Sequence, residues 1–160
     1  MQAFKQIKSP DYRLWIRGNG ATKGAVLKAE KDDKRIKYFT SMSVEELRTL
    51  QKKATVLINP VRGSHEFTKY FFPSKTMEYL ASGTPAIMYK LLCLPQDYYP
   101  YIYFVEEETV DSLREKIVMV CEKPQQELDE FGKKASEFIK THKNAFVQTQ
   151  KIVDMVRNIR

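Results

Sequence analysis

Two rhythms alternate along this chain: short apolar or every-other-residue runs, then longer stretches of helical period. Tyr12-Arg13-Leu14-Trp15-Ile16-Arg17 is a β-prone run stopped by Gly18-Asn19-Gly20, and Thr22 stands where a cap opens a helix to residue 32. Residues 35–40 repeat the step as a second strand. Ser43 then precedes Glu46 at capping-box spacing, which predicts a helix over 44–53. Ala54-Thr55-Val56-Leu57-Ile58 runs apolar without a break up to Asn59-Pro60, the pattern of a strand buried on both faces. Residues 61–72 read as a loop long enough that a function is expected of it. Pro73 and Ser74 open a helix that runs to Ala81 and stops at Ser82-Gly83. Residues 84–89 and 101–105 supply two more strands. Helices follow over 110–122, 125–142 and 144–159, the last packing back as a tail.

Strands that alternate with helices specify a doubly wound parallel α/β sheet, because parallel neighbours need crossover helices and right-handed crossovers cover both faces. Ligands of such sheets lie beyond the carboxyl ends of the strands. The segments 18–21, 38–41, 59–74 and 89–94 are therefore expected on one rim.

Composition narrows the partners. With 160 residues, 42% hydrophobic and 29% charged, the chain reads as one soluble domain over 1–160 rather than a disordered or fibrous segment. Its net charge of +7 admits phosphates, nucleic acid or an anionic membrane face. The densest basic run, 28–37, is interleaved with Glu30, Asp32 and Asp33, as at a solvated helix end. Cys93 and Cys121 form no CxxC and have no histidine close in sequence, so neither a disulfide framework nor a metal site is expected. His65 and His142 read as solvated. No apolar run reaches the ~18 residues a membrane span needs, and the expected location is the cytoplasm, including the inner face of the membrane.

The chemistry concentrates between Phe67 and Ile87. A helix beginning at Pro73 leaves the N–H groups of Ser74, Lys75 and Thr76 without intrahelical partners, and with the helix dipole these make a phosphate site. The Ser74 hydroxyl and the Lys75 ammonium add a hydrogen bond and a charge. Glu78, one turn on from Ser74, is placed to accept from a ribose diol.

Phe-Pro-Ser-Lys (72–75), Glu-Tyr-Leu-Ala-Ser-Gly (78–83) and Thr-Pro-Ala-Ile (84–87) resemble the signature helix of the retaining GT-B glycosyltransferases of family 4, in the variant common among bacterial polysaccharide enzymes. Upstream, Leu14-Trp15-Ile16-Arg17-Gly18-Asn19-Gly20, Ile36-Lys37-Tyr38-Phe39-Thr40 and Ala54-Thr55-Val56-Leu57-Ile58-Asn59-Pro60 are similar to that family's later strands in the same order, so the match spans 1–110. The resemblance implies a Rossmann-like, C-terminal donor-binding half of a GT-B enzyme. It implies transfer of a sugar from a UDP- or GDP-linked donor to a glycan or lipid-linked acceptor in polysaccharide biosynthesis, with retention and without a cofactor or metal. By position, Glu78 matches the ribose glutamate, Ser74 and Lys75 the diphosphate-binding helix start with Lys75 as the catalytic cation, Tyr38, Phe39 and Thr40 the base-contacting strand, and Gly18 and Gly20 the turn over the same cleft. Arg62, Tyr70, Phe72 and Pro73 complete the expected donor lining.

The chain departs from the family pattern twice. Tyr70 stands where a second glutamate often contacts the transferred sugar, and Glu66 lies four residues too early to replace it. Met1-Gln2-Ala3-Phe4-Lys5-Gln6-Ile7 resembles the helix that follows the family's first strand, so that central strand and the acceptor domain are expected to be missing. Strands 12–17 and 54–58 must then pair with each other or with another chain, which makes self-association an expectation. Without the acceptor domain the chain alone is expected to be inactive. Two rival functions stay open: a non-catalytic basic module for nucleic acid or an anionic membrane, and a GT-B nucleotide-sugar epimerase. The aromatic group Tyr98, Tyr99, Tyr101, Tyr103 and Phe104 would suit base stacking, although its alternation fits packing against helices better. Gly18, Gly20 and Gly24 fall one residue off a dinucleotide fingerprint.

Overall fold

The computed structural model describes residues 1–70 and 72–158. In chain order it contains α1 (Gln2–Gln6), β1 (Leu14–Arg17), α2 (Lys23–Asp32), β2 (Ile36–Phe39), α3 (Val44–Lys53), β3 (Leu57–Asn59), α4 (Ser74–Ser82), β4 (Ala86–Tyr89), β5 (Tyr103–Val105), α5 (Val110–Cys121), α6 (Gln125–His142) and α7 (Ala145–Asn158). Short 3-10 turns occupy Glu66–Lys69 and Gln96–Tyr101. The helix starts follow local chemistry unevenly. Ser43 Oγ accepts from the Glu46 amide at 3.1 Å while Glu46 accepts from the Ser43 amide at 2.7 Å, so the capping box of α3 is complete. Thr22 precedes α2 as expected but makes no side-chain capping bond.

Every strand pairing is parallel. Leu14 lies opposite Ile36, Leu57 opposite Ala86, and Ile87 opposite Tyr103. The strands nevertheless form two sheets, β1–β2 and β3–β4–β5, and among the described residues no ladder joins β1 to β3. The α/β class with parallel sheets flanked by helices stands, and of the two pairings expected for strands 12–17 and 54–58, that of β1 with β3 is not formed among the described residues. The same split corrects the expectation for residues 54–58. Val56, Leu57 and Ile58 are only half-buried, because β3 has a neighbour on one side alone. The strand buried along its whole length is β4, which has neighbours on both sides.

Apolar side chains divide between two faces. Ile87 and Tyr89 of β4 join Phe4 and Ile7 of the N-terminal segment, Ile36, Val105 and Ile117 in one cluster, with Leu14, Ile16 and Ile58 packed at its edge. Both sheets thus lean on one core. Ala86 and Met88, the alternate residues of β4, join Leu80 of α4, Leu91, Ala135 and Phe138 on the other face. Each large aliphatic buried in this way contributes roughly 1.5–3 kcal/mol.

Arg35 fastens α1 to the first sheet. Its guanidinium donates to the carbonyls of Ile7 at 2.6 Å and Ser9 at 2.9 Å, pairs with Asp33 at 2.8 Å, and lies 4.8 Å from the Phe4 ring centre. On the second sheet, α4 and α6 cross so closely that a Cβ on Gly132 would stand 1.8 Å from the Gly83 carbonyl oxygen. Gly83 itself ends α4 in the left-handed conformation at φ 81°.

Tyr101 stacks on Phe138 at 4.5 Å and Tyr103 on Phe131 at 4.2 Å, so this aromatic group seats α6 instead of offering rings to a nucleobase. The C-terminal helix departs from expectation. No residue of α7 is buried, and Phe146, Ile152 and Met155 are exposed, so the tail does not pack back onto the domain; Ile159, its expected last residue, lies outside the described residues. Among the described residues no helix is long and apolar enough to cross a membrane.

Candidate functional site at the start of α4

Pro73 occupies the N-cap of α4 and, having no N–H, adds no donor of its own there. Ser74 and Lys75 are exposed, and their amides have no acceptor among the described residues. Thr76 does not match the expectation of three free amides. Its N–H donates to the Pro73 carbonyl at 2.8 Å and its side chain is buried against Met88, because a tight first turn satisfies that amide internally. Two amides, not three, remain for a ligand.

Glu78 is exposed one helical turn beyond Ser74, and residues four apart share a helix face. One of its carboxylate oxygens accepts from Gln51 Nε2 at 2.5 Å, a bond that reaches from α3 to α4. Next to it, burial first and the Glu78 charge second push the Tyr79 hydroxyl above its ordinary value, so it stays neutral. Phe72 and Pro73 turn inward: the Phe72 ring tilts against Tyr98 at 5.5 Å and Pro73 is buried, so both seat the helix start against the core. Tyr70 is 87% exposed.

The loop between β3 and α4 is tied down at its near end. Gly63 sits where a Cβ would be 2.9 Å from the Lys90 carbonyl, and the Ser64 amide donates to Glu108 at 3.0 Å while its hydroxyl bonds the same carboxylate. The Ser64 hydroxyl foremost, with the Ser64 and Gly63 amides and the charge of Arg62, holds the Glu108 carboxyl below its ordinary value. Arg62 is exposed beside this knot. The segments after β3, β4 and β5 therefore meet at one rim, as parallel strands require.

Around the first sheet the expected residues form a second group. The Tyr38 hydroxyl donates to the Gly18 carbonyl at 2.6 Å, and the Tyr38 amide donates to Glu30 at 2.9 Å. Tyr38 is thus a buried brace for the glycine turn, with its amide already engaged. Phe39 meets Trp15 edge-on at 6.2 Å, and Thr40, Gly18 and Gly20 are exposed. Among the described residues no hydrogen bond or ion pair joins this group to Ser74, Lys75 or Glu78. No cluster of metal-ligating side chains occurs among the described residues.

Sequence patterns did not single out Gln51 or Glu108. A glutamine in a polar helix looks solvated, and only the three-dimensional neighbour, Glu78 or Ser64, gives either residue a role.

Residues 1–123 match the family described as Glycosyl transferases group 1. No protein of curated function matches the chain. Among solved structures, the chain is similar to one in "Crystal structure of GtfA/B complex", with a TM-score of 0.62 and 17% identity. That likeness covers 85% of this chain and 28% of the other, and at such identity it speaks for the fold.

Proposed function

The chain belongs to the group 1 glycosyltransferases, and from that premise we propose that it holds the nucleotide diphosphate of an activated sugar at the start of α4. The observation that carries the reading is the pairing of two accessible amides at Ser74 and Lys75 with a carboxylate at Glu78 on the same face. The amides, the Lys75 ammonium and the helix dipole would meet the diphosphate, and Glu78 the ribose. The charge that grows on the leaving diphosphate as its bond to the anomeric carbon breaks falls on these same donors, which makes Lys75 the catalytic cation. Gly18, Gly20, Phe39 and Thr40 form the base side of the cleft, with Tyr38 bracing the turn from beneath. Arg62 and Tyr70 stand on the loop that faces the sugar.

The finer reading is a retaining family 4 enzyme of bacterial polysaccharide synthesis, working in the cytoplasm or on the inner membrane face with a UDP- or GDP-linked donor. The chain spans 28% of the matched structure, and the reading covers donor binding, with acceptor recognition left to a GT-B partner half. The resemblance of the described segments to one half of a GT-B fold supports this. Among the described residues β1 and β3 each have one edge without a paired strand, which supports self-association or pairing with another strand.

Calorimetric titration with UDP and GDP tests the reading. Binding of one of them, weakened about tenfold or more by Glu78→Ala and by Lys75→Ala and unchanged by Lys28→Ala, is expected. Binding of RNA or acidic vesicles that collapses with salt and ignores Glu78 would instead establish a basic module. Interconversion of nucleotide sugars without transfer would establish an epimerase.

A further inference from the structure

Gln51 is the one buried residue of α3, at 5% exposure, on a helix whose other side chains are exposed or half-exposed. Burying an amide costs free energy unless its polar atoms find partners. Its backbone carbonyl accepts from Thr84 Oγ1 at 2.9 Å and from the Ala54 amide at 3.2 Å. These fix the end of α3 to the turn that leads into β4. From that anchored base the side chain reaches Glu78 on α4. A carboxylate only accepts, so the amide nitrogen must be the end that faces it.

We propose that Gln51 is a positioning residue for the donor site: it holds one oxygen of Glu78 and so aims the other at the ribose hydroxyls. The inference rests on the reading of Glu78 as the ribose ligand. An exposed glutamate on a helix samples several rotamers, and each must be given up when a ligand binds. A buried neutral donor at one oxygen removes that freedom in advance, whereas a lysine or arginine there would compete with the ligand's hydroxyls through a stronger, charged bond.

Gln51 in this role controls ribose selectivity rather than overall affinity. The preferred nucleoside diphosphate and its 2′,3′-dideoxy analogue are titrated into the wild-type chain, Gln51→Leu and Gln51→Asn. Thermal melting establishes which variants fold. Asn keeps an amide but withdraws it from Glu78, and it carries the test if the Leu variant fails to fold. The wild type is expected to favour the ribose form by about tenfold, and the variants to favour it by about twofold or less, while inorganic pyrophosphate binds all three alike. Undiminished ribose preference in a folded variant overturns the role of Gln51 alone. A wild-type chain that binds both nucleotides equally overturns the assignment of Glu78 as well, and a variant that loses pyrophosphate and both nucleotides together marks Gln51 as a purely structural tie between α3 and α4.

Discussion

The pairs β1–β2 and β3–β4 are made by the same step, a strand followed by a crossover helix, yet they end in different surroundings, because a connection carrying only a 3-10 turn adds β5 to the second pair. β4 has a strand on each side and a cluster of apolar residues above and below. β1 has a strand on one side, and its residues alternate between half-buried and exposed. The residues proposed to bind diphosphate and ribose stand on the well-buttressed half, on α4, whose Leu80 is fully buried. Those proposed for the base stand on the glycine turn after β1 and at the carboxyl end of β2, in the half held chiefly by one core cluster and the Arg35 bonds. The difference teaches that a rigid anchor and an adaptable wall can be drawn from one repeating motif by changing only how many neighbours each strand has.

The comparison breaks most violently at the α4–α6 crossing. In Gly132→Ala the new methyl would meet the Gly83 carbonyl, and a loss at or above the roughly 3 kcal/mol upper end of overpacking is expected in denaturant melts. Leu80→Ala follows, at about 2–5 kcal/mol, because it empties a fully buried position. Its counterpart on the first sheet, Ile16→Ala, should cost only about 1 kcal/mol, since Ile16 packs at the cluster's edge. Equal losses at the two positions would erase the distinction.

Hydrogen exchange sharpens it without mutation. Amides of β4 are expected to exchange last and those of β1 and β2 well before them, through openings that leave the second sheet intact. Uniform protection across all five strands would contradict the asymmetry. The smallest effect concerns acid. Arg35, through its side-chain bond foremost, holds Asp33 at about 2 against an ordinary 3.8. A depressed carboxyl stabilises the fold above its ordinary value and ceases to as the pH falls through the folded one, so the first sheet should loosen over that window. Melts repeated in Arg35→Ala should lose that part of the pH slope.

What could be read in advance was what is local. The capping box of α3, the span of α6 and the glycine stop of α4 are each specified by residues a few positions apart, and they stand where the pattern put them. The apolar run at 54–58 misled for the opposite reason. Four apolar residues around Thr55 announce a strand fit for two covered faces, but burial depends on neighbours that no local pattern contains, and among the described residues β3 has a strand on one side alone. The site divides the same way. That Pro73 opens α4 and that Ser74 and Glu78 lie one turn apart on it was legible from helix geometry, while Thr76's internal bond and the Gln51 contact appear only once the first turn and the α3–α4 contact are formed.

Two free amides and one carboxylate on a single face of α4 are proposed to hold a nucleoside diphosphate. Backbone amide NMR of the labelled chain, titrated with UDP and with GDP, observes those groups directly. The Ser74 and Lys75 amides should move most, with the Gln51 side-chain amide and Glu78 following at the same ligand concentration. Shifts confined to the lysines of α2 and α7, with Ser74 and Lys75 unmoved at saturation, would contradict that assignment.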